Sequence, residues 1–173
     1  VIIEAPNLGW KNVKLRKRLA DAFGCPVVVV NDVDAGVYAE YCAGAATGAH
    51  CALGVFPGTG IGAGCVYEGL LMQGSQISCM EIGHIPILPD GPLCGCGQRG
   101  CLETVASRLA ISSAAATAAF RGHAPALQKA CGTDLANIRS KALAESIAAG
   151  DTAIEAIVRQ AAQWLGRGIA NAA

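Results

Sequence analysis

Pro57-Gly58-Thr59-Gly60-Ile61-Gly62-Ala63-Gly64 lies between Ala52-Leu53-Gly54-Val55-Phe56 and Cys65-Val66-Tyr67. Read loosely, Gly58-x-Gly60-x-x-Ala63 matches a dinucleotide fingerprint. That motif opens at once into a helix whose N-terminus faces the pyrophosphate, whereas here the chain continues as a strand. A Walker A loop is excluded too, because no Gly-Lys-Ser/Thr follows. The segment reads as strand (Ala52–Phe56), turn (Gly58–Gly62) and strand (Gly64–Tyr67), with Thr59 at the tip. Backbone N–H groups in such a turn can form a nest for phosphate oxygens, and the Thr hydroxyl adds a donor. A ligand-free glycine hairpin has the same sequence signature.

Upstream, Pro26 starts the run Val27-Val28-Val29-Val30, which predicts a strand buried on both faces. Asn31-Asp32 follows, at the carboxyl edge where α/β sheets place ligands. Asp32 can accept a proton from an attacking hydroxyl and Asn31 can bond a neighbouring one. Equally, Asp32 or Asp34 can simply cap a helix running to about Ala46. Before that run, Asn7-Leu8-Gly9-Trp10 reads as a turn and Val13 to Phe23 as a helix stopped by Gly24. The opening Val1-Ile2-Ile3 begins in mid-pattern, so sequence is expected upstream.

Downstream, Cys94-Gly-Cys96-Gly-Gln-Arg-Gly-Cys101 crowds three thiols into one loop, with glycines at 95, 97 and 100 to bend it. Zinc favours four tetrahedral ligands of this soft type. The C-x-C-x4-C spacing needs a fourth donor from elsewhere, and His84 is the nearest histidine. An iron–sulfur cluster would want a fourth thiolate, and a redox role for the thiols is the other alternative. A site with four protein ligands is structural. Glu81 and Glu103 flank these ligands, and two fixed carboxylates with an imidazole make a receptor for adjacent hydroxyls. They could instead orient the metal ligand. Beyond Leu102 the chain is alanine-rich. Ala106–Phe120, Ala126–Cys131, Asp134–Ala149 and Asp151–Ala173 read as helices, with Asp134 and Asp151 as N-caps.

Composition limits the function classes. Lys plus Arg and Asp plus Glu number 13 each, so the chain has no electrostatic footprint for nucleic acid or an anionic membrane. Charged residues are 15% and apolar residues 53%, which opposes disorder. No apolar stretch has the length of a spanning helix, and no secretory leader is visible. Six of the nine cysteines (Cys25, Cys42, Cys51, Cys65, Cys79 and Cys131) are scattered and read as small buried hydrophobes. A cytoplasmic address follows from these features.

Taken in order, Asn31-Asp32, Gly58-Thr59-Gly60-Ile61-Gly62, Glu81-Ile82-Gly83-His84 and Cys94 to Cys101-Leu102-Glu103 resemble the ROK family of bacterial sugar kinases and sugar-responsive repressors. Ala5 to Trp10 resembles the segment leading to that family's catalytic region. The resemblance implies an α/β, actin-like (ribonuclease H-like) sugar kinase fold, incomplete here at both ends. Residues 1–47 would close the N-terminal lobe, and 48–173 would form part of the C-terminal lobe. It implies Asp32 as catalytic base, with Asn31, Asp32, Gly60, Glu81, His84 and Glu103 around a hexose. Gly58, Thr59, Gly60 and Gly62 would face ATP, which is used with Mg2+. His84, Cys94, Cys96 and Cys101 would hold Zn2+.

Family members commonly form homo-oligomers, and the repressor class carries a DNA-binding segment ahead of the region shown. Neither nucleic acid nor membrane is expected to bind through these residues. The chain departs from the family pattern at Asp34, where Asn is common, and at Met80, at Phe56-Pro57 and in the run Gln76 to Cys79. The family's opening Asp-x-Gly-Gly-Thr turn and its late adenosine-binding segment are absent from these 173 residues. The chain is therefore expected to be an internal, by itself inactive, stretch of a longer kinase.

Overall fold

The computed structural model describes residues 2–5, 8–74 and 79–172. Strands β1 (Ile2–Ala5) and β2 (Trp10–Val13) pair antiparallel, and α1 (Leu15–Phe23) follows. Gly24 ends α1 in the left-handed conformation at φ 63°, as its position predicts. The expected turn holds at Leu8-Gly9, while Asn7 lies outside the described residues.

Val27–Val30 is not a strand here. The run is unpaired, and Val28, Val29 and Val30 are 81%, 41% and 43% exposed. Four valines favour a pleated surface only where neighbours cover them, and among the described residues no strand pairs with them.

Helix α2 (Asp32–Ala43) packs on an antiparallel hairpin, β3 (Cys51–Pro57) and β4 (Ile61–Tyr67), to which β5 (Leu70–Leu71) adds. The register pairs Gly54 with Gly64 and Phe56 with Gly62, so these residues share one face. A methyl group on Gly54 or Gly64 would stand 2.9 or 2.8 Å from Val37, and one on Gly62 would stand 2.8 Å from Val33. The glycine richness of the hairpin is thus largely a seat for α2. Missing side chains bring helix backbone closer to sheet backbone than any other residue type allows.

The other face of the hairpin presents Ile61 and Ala63 to a core that also holds Ile82, Leu102 and Ala106, with Trp164 and Leu165 against it. A 3-10 turn (Ile82–His84) and α3 (Glu103–Ala106) supply part of this core. The tail forms α4 (Arg108–Phe120), α5 (Pro125–Cys131), α6 (Ser140–Ala148) and α7 (Thr152–Ala172) around a second core of Ala115, Leu127, Ile138 and Ile154. Gly168 of α7 lies so close to Leu102 that a side chain there would overlap it.

Two expected caps are corrected. Asp134 closes a local turn through Ala136 and Asn137, and the helix starts only at Ser140. Asp151 precedes α7, but its carboxylate reaches back to the amides of Ala126 (3.3 Å) and Leu127 (2.9 Å) and to Ser146 (2.6 Å), capping α5 instead. The cysteine reading also changes: of the six scattered thiols only Cys65 is buried, Cys131 is intermediate, and Cys25, Cys42, Cys51 and Cys79 are exposed. These four lie just after α1, in the last turn of α2, at the start of β3 and in the loop after β5. No helix among the described residues is long and apolar enough to cross a membrane.

Candidate functional site

Each part of the site is chained to a buried apolar neighbour in one core. Gly60 precedes Ile61, Glu81 precedes Ile82, and Leu102 stands between Cys101 and Glu103. The core holds the backbone and the polar residues beside it face outward. Gly83 sits so tightly on the Ile61 carbonyl that no side chain fits there, which fixes the approach of Glu81 and His84 to β4.

The cysteine loop folds back on itself. Ile87 and Leu88 both donate to the Gly100 carbonyl, Leu102 donates to Ile85, and short bridges join Pro86 to Cys101 and Leu93 to Arg99. Gly97 and Gly100 turn the loop at φ 91° and 71°, a region open to glycine. The donor atoms of His84, Cys94, Cys96 and Cys101 all lie within 4.8 Å of one another. Cys94 Sγ is 3.5 Å from His84 Nδ1, and Cys96 Sγ is 3.7 Å from Cys101 Sγ. Tetrahedral bonds of ~2.3 Å to sulfur and ~2.0 Å to nitrogen place donors ~3.5–3.8 Å apart. Two donor pairs already have that spacing, and the widest pair would draw in by at most about 1 Å. This cluster can hold a metal ion.

Burial, helped by the bond to Glu103 and opposed by a backbone hydrogen bond, pushes the Cys94 thiol up to about 12. Burial also raises Cys101, whereas the Gln98 backbone holds exposed Cys96 below the usual thiol range. Without a cation, Cys94 is a neutral thiol and Cys96 is the readiest thiolate.

Glu103 links the cluster to the glycine turn. Its Oε1 accepts from Cys94 Sγ at 3.0 Å and lies 3.7 Å from His84 Nδ1. Its Oε2 lies 2.6 Å from where a Gly60 side chain would begin, so only glycine leaves that carboxylate its place. At the tip itself, Arg108 Nη2 donates to Thr59 Oγ1 at 2.8 Å, and the Arg108 amide donates to the Gly58 carbonyl at 2.9 Å. Thr59, Gly60, Leu93, Cys94, Glu103 and Ser107 border an open cavity of about 580 Å3.

Asn31, not Asp32 or Asp34, caps α2: its Oδ1 accepts from the Val33 amide at 2.9 Å. Asp32 is the first residue of the helix, exposed, with Oδ1 on the same amide at 3.0 Å. Val33, the next residue, is seated on Gly62 of β4. Glu81 is exposed just ahead of the 3-10 turn, its carbonyl accepting from the His84 amide. Among the described residues no hydrogen bond or ion pair joins Asp32 or Glu81 to the His84–Glu103 group.

Sequence reasoning missed Arg108 and the environment of Asp34. Arg108 has no motif around it, and its link to Thr59 spans 49 positions. Asp34 is buried with Oδ1 unpartnered, and burial raises its carboxyl above the ordinary range. Its departure from the family's usual Asn was the available signal.

The profile of the ROK family matches residues 1–173. The chain belongs to the ROK family. A glucokinase of Streptomyces coelicolor is 39% identical over 107 residues, 62% of this chain and 34% of that protein. A ROK glucokinase from Streptomyces griseus, solved with glucose and AMPPNP, superposes with a TM-score of 0.81 at 34% identity, covering 98% of this chain and 55% of that one. A ROK transcriptional regulator, a homologue of the E. coli MLC protein, superposes with a TM-score of 0.83 at 32% identity, over 98% of this chain and 42% of the regulator. The fold is therefore the actin-like one of ROK sugar kinases. The match spans about a third of the curated relative and about half of the glucokinase structure.

Proposed function

We propose that this ROK chain is the sugar-binding and catalytic part of an ATP-dependent hexose kinase of glucokinase type. The observation that carries this is the junction at Gly60. There a carboxylate–imidazole pair suited to sugar hydroxyls touches a glycine turn suited to phosphate. Asn31, Glu81, His84 and Glu103 would hold the hexose. Gly58, Thr59, Gly60 and Gly62 would face the triphosphate of Mg2+-bound ATP. Asp32 would take the proton of the hydroxyl as its oxygen attacks the γ-phosphorus and ADP leaves. Phosphoryl transfer needs mainly alignment and charge stabilisation, and the seam of α2 on the hairpin supplies the alignment.

The donor set of three thiols and an imidazole is that of structural zinc. His84, Cys94, Cys96 and Cys101 would hold the ion, leaving no open position for chemistry. His84 faces Cys94 through Nδ1, which leaves Nε2 for a sugar hydroxyl. Residues 1–47 would close one lobe and 48–173 belong to the other. A cytoplasmic homo-oligomer fits the composition and the family.

A second reading has one specific support, the superposition on the ROK regulator. In that case the same pocket senses sugar, and a helix-turn-helix ahead of Val1 distinguishes the two. A coupled assay of the full-length protein with ATP and a hexose panel tests the kinase. Sugar-dependent ADP release is expected, and its absence with every sugar overturns the proposal. Asp32→Asn should cut kcat by about 1000-fold or more, with sugar affinity within about twofold. Retained turnover would remove Asp32 from its role.

A further inference from the structure

We propose that Arg108 is the cationic half of the phosphate cradle at the glycine turn, binding the transferred phosphoryl group together with Thr59. This rests on the reading of the turn as the phosphate-binding element.

Arg108 is the first residue of α4, and Ser107 caps that helix through the Ala110 amide. Both its backbone amide and its guanidinium go to the turn, on Gly58 and Thr59. The Thr59 oxygen therefore accepts from Arg108, so the hydroxyl proton is directed away from the guanidinium and remains a donor. A cation on the oxygen polarises that O–H and strengthens the bond it gives to an anion.

The guanidinium itself has five N–H groups in a fixed fork. One is used on Thr59, and among the described residues no carboxylate pairs with the charge. Adjacent Gly60 has the opposite environment, the Glu103 carboxylate. The turn thus separates two sides. A negative side, at the Glu103 carboxylate beside Gly60, attracts sugar hydroxyls. A positive side, at Thr59, attracts phosphate. This polarity orients donor and acceptor across the two residues at the tip.

The alternative is a staple, in which Arg108 only ties α4 to the turn. The backbone bond to Gly58 is kept by any side chain but proline, so the variants below should fold. Arg108→Gln and Arg108→Lys in the full-length protein are to be compared by AMPPNP titration, steady-state kinetics and melting temperature. Arg108→Gln should weaken AMPPNP binding by about tenfold or more and raise the KM for ATP similarly. Sugar affinity should stay within about twofold, and Arg108→Lys should recover part of the loss. Unchanged AMPPNP affinity in Arg108→Gln overturns the proposal. So does a lowered melting temperature with sugar and nucleotide affinities falling together, and so does a parent that does not bind AMPPNP. A parent that binds AMPPNP through Arg108 but phosphorylates no sugar overturns the kinase and leaves the cradle standing.

Discussion

Asp34 is the residue whose environment conflicts most with its chemistry. It lies in the first turn of α2, where the helix dipole favours an anion, yet it is 4% exposed and has one unpartnered oxygen against Gly64. Its raised carboxyl pKa reflects burial. A carboxyl raised on folding contributes most when protonated, and that contribution is lost as pH climbs through the folded value. Asp34→Asn removes the charge without changing the shape. It should raise the melting temperature at pH 7 by about 2–4 °C, roughly 1 kcal/mol, with the gain shrinking toward pH 3.5. A calorimetric scan at the two pH values checks this, and equal shifts at both would refute it. The sequence pointed to the correct stretch here but to the wrong cap. Asn31, Asp32 and Asp34 are all competent N-caps, and only the seating of Val33 and Val37 on glycines decides which of them faces solvent.

At the scale of elements, hairpin and helices were legible where local pattern suffices: β3, α4 and α5 fall close to where β-branched and alanine patterns put them, while β4 starts at Ile61, inside the expected Gly58–Gly62 turn, because Ile61 and Gly62 pair with Pro57 and Phe56. The valine run failed because a buried strand is defined by its neighbours, and no residue in Val27–Val30 encodes whether they are present. Asp151 failed for a related reason, since a cap looks local in sequence while its partners are 24 and 25 residues away. Burial alone would raise the Asp151 carboxyl, but bonds from Ser146, Leu127 and Ala126 outweigh it and hold it below the ordinary range. Such a carboxylate stabilises the fold above its ordinary pKa, and the effect fades as pH falls through the lowered value. Asp151→Ala should cost about 3 kcal/mol at pH 7, because it strips charge-assisted bonds from buried donors. Urea unfolding measures it, and a loss below about 0.5 kcal/mol would mean that α5 needs no such cap.

For the whole molecule, the clustering of His84, Cys94, Cys96 and Cys101 was readable because three thiols in one glycine-bent loop have little room to lie apart. The contact of Glu103 with Gly60 was not readable, since it depends on how the two halves of one core meet. If the cluster holds zinc, purified full-length protein should contain about one ion per chain. Strong chelation under reducing conditions should then lower the melting temperature by at least about 5 °C, as should Cys96→Ser. Folded, metal-free protein with an unchanged transition would sink the assignment.

The same loop has a kinetic consequence. Its four donors lie between positions 84 and 101, and its bridges, Pro86 to Cys101 and Leu93 to Arg99, stay within that span. Closing so short a segment costs little chain entropy, whereas the meeting of α7 with Leu102 must gather residues more than sixty positions apart. The loop can thus take shape early, as a local nucleus on which β4 and α7 later converge, and a cation present during synthesis would set the order of assembly as well as its endpoint.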